Sequence, residues 1–299
     1  MKWVKLSMKT KIKLNWKPLI YLMPALSIIA VFKIYPIFEA FKMSFYTEYD
    51  YIKDIVYKMG MDNYTYVLKD ADFYLALKNT SFFVLLAVPL SIALALLLAI
   101  LLNQNIKGKN IFRSLYFLPF VTSVVAISTI WRWIFSKDYG LANFLLGLWG
   151  LEPKAWLTSP QYTLPLLALL YMWRTIGYKM VILLAGLQNI DQKYVLAAKM
   201  DGASLLKTFW YVKLPLLYPI LSFVLITSLI DAFKIFDEVF VLYDQKTGPL
   251  KSGLTVVYYV FNKFYRHWQF TVSSAAAVIL FILIAALTVF QMKKFKVYR

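Results

Sequence analysis

Six ionisable side chains fall inside long apolar stretches of this chain: Lys33, Arg132, Arg174, Lys179, Asp231 and Lys234, with Asp237 and Glu238 just beyond. A charge in hydrocarbon costs about 2.5–3.5 kcal/mol on insertion scales, so such groups face a cavity or a partner. Asp231, Lys234 and Glu238 recur at i, i+3 and i+7, which puts them on one helical face. Two readings of that face stand side by side: an internal Asp231–Lys234 pair, or the wall of a pathway for a polar solute. Catalysis has little to work with. The chain has no Cys, one His (His267) and no metal-ligand spacing, so thiolate, metal and nucleophile chemistry are not readable in it. A phosphate-binding GxxxxGK[ST] loop is also missing.

A second constellation occupies the polar connection after the fourth apolar stretch. Asp191 can cap a short helix that ends at Gly202, a residue able to take the left-handed conformation that closes many helices. Ser204 can cap a further short helix reaching about Val212, and Pro215 suits the first turn of the next span. Ala197, Ala198, Gly202 and Ala203 give this corner a small-residue surface that another backbone can approach. Composition alone would also allow an amphipathic interfacial helix here.

The elements that must position these groups are membrane spans. Of 299 residues, 61% are hydrophobic and only 16% charged, with mean hydropathy +0.63. Soluble domains run nearer 45–50% and 25%, and disordered chains are far less apolar. Six windows are long enough to cross a bilayer as helices: 18–40, 81–102, 115–135, 163–187, 214–235 and 272–290. The first follows a basic segment, as a signal peptide would. It is long and lacks a small-residue cleavage pattern after it, so it reads as a retained helix.

The chain carries 33 Lys and Arg against 15 Asp and Glu, a net +18. With a cytoplasmic N-terminus, the interior segments are 1–17, 103–114, 188–213 and 291–299. They hold 17 basic residues, among them Lys2, Lys5, Lys9, Lys11, Lys13, Lys17, Lys296 and Arg299, against only Asp191 and Asp201. That asymmetry follows the positive-inside rule and places both termini in the cytoplasm. The excess charge therefore meets anionic lipid rather than nucleic acid. The expected organisation is a basic N-terminus (1–17), a first helix with an extracytoplasmic loop (18–80), a five-helix core (81–290) containing the 188–213 loop, and a tail (291–299).

The run Ala197-Ala198-x-x-Asp201-Gly202-Ala203, with Phe209, Leu214-Pro215 and Pro219 at the right spacing, resembles the EAA loop of bacterial ABC importer permeases. In that family the loop is a coupling helix docking into a groove of a cytoplasmic ATPase subunit. Leu196 stands where the family usually has Glu, which puts the acidic contact in doubt and leaves apolar docking. Leu22-Met23-Pro24-Ala25, Ile34-Tyr35-Pro36, Asp62-Asn63-Tyr64, Asn79-Thr80, Trp131-Arg132-Trp133, Gly140-Leu141-Ala142-Asn143 and Phe236-Asp237 are similar to the first permease subunit of carbohydrate importers, the maltose and glycerol-3-phosphate type.

The resemblance implies an all-α polytopic membrane protein with six transmembrane helices, the type I ABC importer permease fold, in the bacterial inner membrane. It implies a non-enzymatic subunit whose coupling residues are Leu196, Ala197, Ala198, Asp201, Gly202, Ala203, Leu214 and Pro215. The sugar pathway would run along the outer halves of the fourth and fifth spans, at Trp173, Arg174, Gly177, Tyr178, Asp231, Lys234 and Glu238. Aromatic faces and hydrogen-bonding groups suit a saccharide, and Arg174, Lys179 and Lys234 together would suit an acidic one. Implied partners are a second homologous permease, two ATPase subunits that carry ATP and Mg, an extracytoplasmic solute-binding protein and membrane lipid. No cofactor is expected on this chain itself. An ion-coupled secondary transporter is the alternative; such proteins place carboxylates or broken helices near the midplane, and the elaborate corner would then have no use.

Overall fold

The computed structural model describes residues 16–104 and 106–295. The basic residues named above at positions 2–13, 296 and 299 lie outside them. In chain order the elements are α1 (Trp16–Ile29), α2 (Tyr35–Met43), β1 (Tyr46–Asp50), β2 (Ile55–Met59), α3 (Asp62–Lys69), α4 (Ala71–Leu102), α5 (Lys109–Val121), α6 (Val124–Ile134) and α7 (Leu141–Leu148). They continue with α8 (Pro160–Gln188), α9 (Gln192–Met200), α10 (Leu205–Thr208), α11 (Leu214–Phe233), α12 (Asp237–Leu242), α13 (Val256–Phe261) and α14 (Phe270–Phe295).

Five stretches among the described residues are long and apolar enough to span a membrane: Ile20–Met43, Ala71–Leu102, Pro160–Gln188, Leu205–Phe233 and Phe270–Lys294. The expected third span is not one straight helix. α5 and α6 meet at 97°, and they make a sixth span only if the bent pair is counted as one. Thr122 and Ser123 are extended there (ψ 149° and 128°), just past Pro119 within α5. The Thr122 hydroxyl turns back to bond the Leu118 carbonyl at 2.9 Å, satisfying an acceptor that the ending helix leaves open.

Two further expectations change in detail. The helix capped by Ser204 does not stop near Val212; it runs through a π-helical turn, Phe209–Lys213, straight into α11. A wider turn lies just before Pro215, the residue whose missing N–H and bulky ring would strain a regular α-helical turn. The first span repeats the device, with a π turn at Ala30–Ile34 and Pro36 two residues on. At its far end α11 stops at Phe233, and the chain turns at 234–236 before α12 starts. Asp231 and Glu238 therefore do not share one continuous helical face.

The sequence also conceals a hairpin. β1 and β2 pair antiparallel between the first span and α3, and buried Asn63 holds the hairpin base by donating to the carbonyls of Ser44 and Tyr46, both at 3.0 Å. Elsewhere the fold is helical.

The core forms two apolar clusters stacked along the bundle. One gathers Phe83, Val84, Ala87 and Val88 of α4, Leu167 and Tyr171 of α8, and Val256, Tyr258 and Tyr259 of α13. The other gathers Ala95 and Ala99 of α4, Met180, Leu183 and Leu187 of α8, and Leu217 and Val224 of α11. Small residues on α4 let α8 lie close against it. Between the clusters run the buried polar side chains Ser91, Thr175 and Lys179.

Candidate functional site

The corner is built mainly by its backbone. Asp191 opens α9 by accepting a hydrogen bond from the Lys193 amide at 2.9 Å, and the Lys193 ammonium 2.9 Å away, together with that amide bond, holds its carboxyl below the usual range. At the other end Gly202 has φ +75°. The Ala203 amide reaches the Ala198 carbonyl at 2.9 Å and the Gly202 amide the Lys199 carbonyl at 3.0 Å, a Schellman closure. Ser204 then caps α10, its hydroxyl accepting from the Lys207 amide at 3.4 Å.

The side chains of this corner largely face outward. Leu196, Ala197, Asp201 and Gly202 are exposed, and Ala198, Ala203, Leu214 and Pro215 are half-buried. Large apolar groups extend the surface: Met200 is 84% exposed, Leu205 81% and Leu206 72%, with Trp210 and Tyr211 beside them. Leu205, Leu206, Trp210 and Tyr211 open a stretch long and apolar enough to span a membrane, so a surface of this kind, with Lys193, Lys199 and Lys207 beside it, meets lipid or another protein.

Midway along α8 and at the far end of α11 the logic is reversed. Arg174 of α8 pairs with Glu238 of α12 at 3.0 Å and with Asp231 of α11 at 3.6 Å, so one guanidinium bridges the break at 234–236. The Arg174 and Glu238 side chains are only 13% and 5% exposed. The Asp231–Lys234 pair does not form among the described residues. Tyr171 adds a bond from its hydroxyl to the Ser228 carbonyl at 3.1 Å, tying α8 to α11.

Two cavities flank this cluster. The first, about 290 Å³, is lined by Phe120, Tyr171, Thr175, Tyr178, Lys179, Thr227, Ser228, Ile230, Asp231 and Lys234. The second, about 150 Å³, lies toward α12 between Val124, Tyr171, Arg174, Asp231, Lys234 and Glu238. Tyr178 stacks on Phe120 with ring centroids 4.5 Å apart.

Of the residues expected along a pathway, Arg174, Tyr178, Asp231, Lys234 and Glu238 therefore converge. Trp173 does not join them. It lines a separate groove of about 760 Å³ with Tyr116, Pro119, Met172 and Ile176, and lies edge-on to Trp131. Gly177 is buried where α8 crosses α5, and a Cβ there would fall on the Tyr116 carbonyl, so its task in the structure is close packing. Sequence reasoning places Thr175 within the pathway stretch of the fourth span and misses Tyr171 as a pathway residue. Its signal was a polar stripe in an apolar span, Tyr171-Thr175-Lys179 at i, i+4 and i+8.

At the start of α4, Asp70 caps the helix and ties it to α13 and the segment after it. It accepts from the Tyr259 hydroxyl at 2.7 Å and pairs with Lys263 at 2.9 Å. Burial would raise the Asp70 carboxyl, but bonds from Lys263, Tyr259 and the Asp72 amide outweigh it and hold the group low. Burial would likewise lower Lys263, yet Asp70 and Tyr66 hold it above its ordinary value.

Comparison with known proteins gives three consistent findings. The profile of the family described as binding-protein-dependent transport system inner membrane component matches residues 79–295. The chain is 35% identical over 277 residues to the lactose transport system permease protein LacF of Rhizobium radiobacter, covering 91% of each protein. It is 34% identical over 278 residues to the arabinooligosaccharides transport system permease protein AraP of Bacillus subtilis, covering 92% of this chain and 87% of that one. Against the trehalose/maltose transport system permease protein MalF of Thermococcus litoralis it is 30% identical over 289 residues, 96% and 97% of the two chains. In fold it is similar to a chain in the crystal structure of a bacterial ABC transporter that imports the acidic polysaccharide alginate, with TM-score 0.83 at 19% identity across 95% of this chain and 96% of that one.

Proposed function

This chain belongs to the family of binding-protein-dependent transport system inner membrane components, and on that premise we propose that it forms half of the transmembrane pathway of an ATP-driven sugar or oligosaccharide importer. It is a multi-pass membrane protein and a transport subunit, not an enzyme. ATP and Mg belong to two separate ATPase subunits, and a second homologous permease supplies the other half of the pathway. An extracytoplasmic solute-binding protein delivers the saccharide to the face that carries the hairpin. Both termini and the α9 corner lie in the cytoplasm, where the basic excess favours them.

The observation that carries this reading is the α9 corner. A span that merely turned round would have no use for a capped helix, a Schellman closure and a row of exposed Leu196, Met200, Leu205 and Leu206. Docked in a groove of the ATPase, the corner transmits closure of the ATPase dimer to α8 and α11, which it joins directly. Those two helices carry Arg174, Asp231 and the cavity residues, so a push at the corner reaches the solute pathway through two rigid rods. The spans then alternate between inward-open and outward-open arrangements.

The test is purification of the chain with its operon-encoded ATPase, followed by reconstitution into liposomes. A stable complex with saccharide-stimulated ATP hydrolysis is expected. Uptake that runs without ATP and collapses on dissipating the ion gradient would overturn the reading in favour of secondary transport.

A further inference from the structure

Between the two apolar clusters lies a lysine that forms no ion pair among the described residues. Lys179 is 2% exposed. Its Nζ donates to Ser91 Oγ on α4 at 2.6 Å and to Thr175 Oγ1 at 2.9 Å, and stands 4.6 Å from the centre of the Tyr171 ring. Among the described residues no carboxylate comes within ion-pair distance of it; Asp231 and Glu238, the nearest candidates by position, are both engaged by Arg174.

The hydroxyls do not need the lysine. Ser91 already donates to the Val88 carbonyl at 2.9 Å and Thr175 to the Tyr171 carbonyl at 2.8 Å, each within its own helix. An apolar side chain of equal length at position 179 would leave both bonded, so satisfying these neighbours does not explain a charge that is costly to insert at this depth.

The two cavities differ in charge in a way that does explain it. The 150 Å³ cavity faces Arg174 and Lys234 with three carboxylates, Asp231, Asp237 and Glu238. The 290 Å³ cavity has two ammonium groups on its wall, Lys179 and Lys234, and only Asp231, already shared with Arg174, to balance them. Its volume is close to the smallest usual for a ligand pocket, room for about one sugar ring. The stacked pair Phe120 and Tyr178 supplies an apolar wall for that ring.

We propose that Lys179 is a specificity-determining residue whose ammonium takes the carboxylate of an acidic saccharide, a uronate ring, in this 290 Å³ cavity. The proposal rests on the sugar-pathway reading above. The carboxylate accepts from Nζ and supplies a counter-charge at hydrogen-bond distance, which no described residue does, while the ring lies against Phe120 and Tyr178. Arg174 makes no direct contribution, because its charge is spent on Glu238 and Asp231.

The experiment uses the complete transporter, with both permeases, both ATPase copies and the binding protein, in proteoliposomes. A panel of length-matched uronate-containing and neutral oligosaccharides is scored by stimulated ATP hydrolysis, for the native chain and for Lys179→Met, Lys179→Gln and Lys179→Arg. Because the binding protein is common to all, a change in preference between variants belongs to the permease. The expected result is that uronates stimulate the native complex. In Lys179→Met the ratio of uronate to neutral half-maximal concentrations rises roughly tenfold, as loss of a charge-assisted bond implies, and Lys179→Arg restores it. Lys179→Gln replaces Met if the Met complex does not assemble. Stimulation by neutral members alone, or equal impairment of both classes in Met or Gln, overturns the role of Lys179 and leaves the sugar importer standing. Stimulation by no member of the panel overturns the sugar reading itself.

Discussion

The α9 corner lies where α8 ends and α11 begins, the Arg174 cluster joins the middle of α8 to the far end of α11, and the two hold their shapes by different means. At the corner the fixed parts are backbone: a cap at Asp191, a left-handed Gly202, and amides that reach back to Ala198 and Lys199. Its apolar side chains are left over, pointing outward. At the cluster the backbone is broken, at 122–123 and again at 234–236, and side chains restore the connection. Arg174 joins the two sides of the second break; Arg132 of α6 reaches Asp244, just past α12, at 3.1 Å. The corner keeps its apolar side chains free, and the cluster commits its charged ones to one another across the breaks in the backbone.

Substitutions can break this contrast from either end. Arg174→Met should have the largest effect on stability, about 3 kcal/mol, because Glu238 is left buried without its partner. Thermal unfolding in detergent should show the loss, and Arg174→Met with Glu238→Gln should recover most of it. No recovery in the double variant would mean that packing of the Arg174 stem, not the charge pair, holds the break together.

Gly202→Val should cost less, about 1–2 kcal/mol, since the penalty comes from its positive φ alone and nothing lies within 4 Å of the added Cβ. Its functional effect should be far greater than its structural one. Membrane insertion is expected to persist while saccharide-stimulated ATP hydrolysis is lost, and Gly202→Asn, which tolerates the left-handed region, should retain activity. Normal uptake by the Val variant would sink the coupling role.

A smaller effect tests the tie between Asp70 and Lys263. Asp70 has its carboxyl held low, so its contribution is present above the ordinary aspartate value and is lost as pH falls through the lowered one. Lys263 is held high, so its contribution is present below the ordinary lysine value and is lost as pH rises through the raised one. The tie should therefore be intact across the neutral range. Asp70→Asn should cost about 1 kcal/mol there, a difference that shrinks in acid. A cost that stays constant down to acid pH would assign the effect to altered packing around position 70 instead of the charge, since Asn caps a helix as well as Asp does.

Leu196→Glu should have the smallest effect on the fold, within about 0.5 kcal/mol, because the side chain is exposed. Affinity for the ATPase, measured by co-purification yield, is the quantity it should alter.

These contrasts explain what the sequence could and could not disclose. The corner was legible because it is local: Asp191, Gly202 and Ser204 are spaced for caps, and caps act within a few residues. The spans were legible from their length and apolarity. The bend at 122–123 was not, because Thr122-Ser123 is a mild break that only tertiary packing makes final. Nor could spacing reveal that Asp231 turns to Arg174 instead of Lys234, since the winning partner comes from another helix. Faces were the hardest to read. In α4 and α11 apolar residues surround the axis, so no periodic pattern shows which side meets α8 and which meets lipid.

The π turns at Ala30–Ile34 and Phe209–Lys213 carry a consequence of their own. Each fits one residue more into a turn than the helix around it, and one residue is about 100° of rotation. The first span is therefore a single rod with two bearings. Beyond its offset, α2 is aimed at α14; before it, the side chains from Ile20 to Ala30 are turned outward and remain exposed. One extra residue lets the same continuous helix serve its own bundle at one end and face its surroundings at the other, and a loss of that residue would swing one end around without breaking the rod.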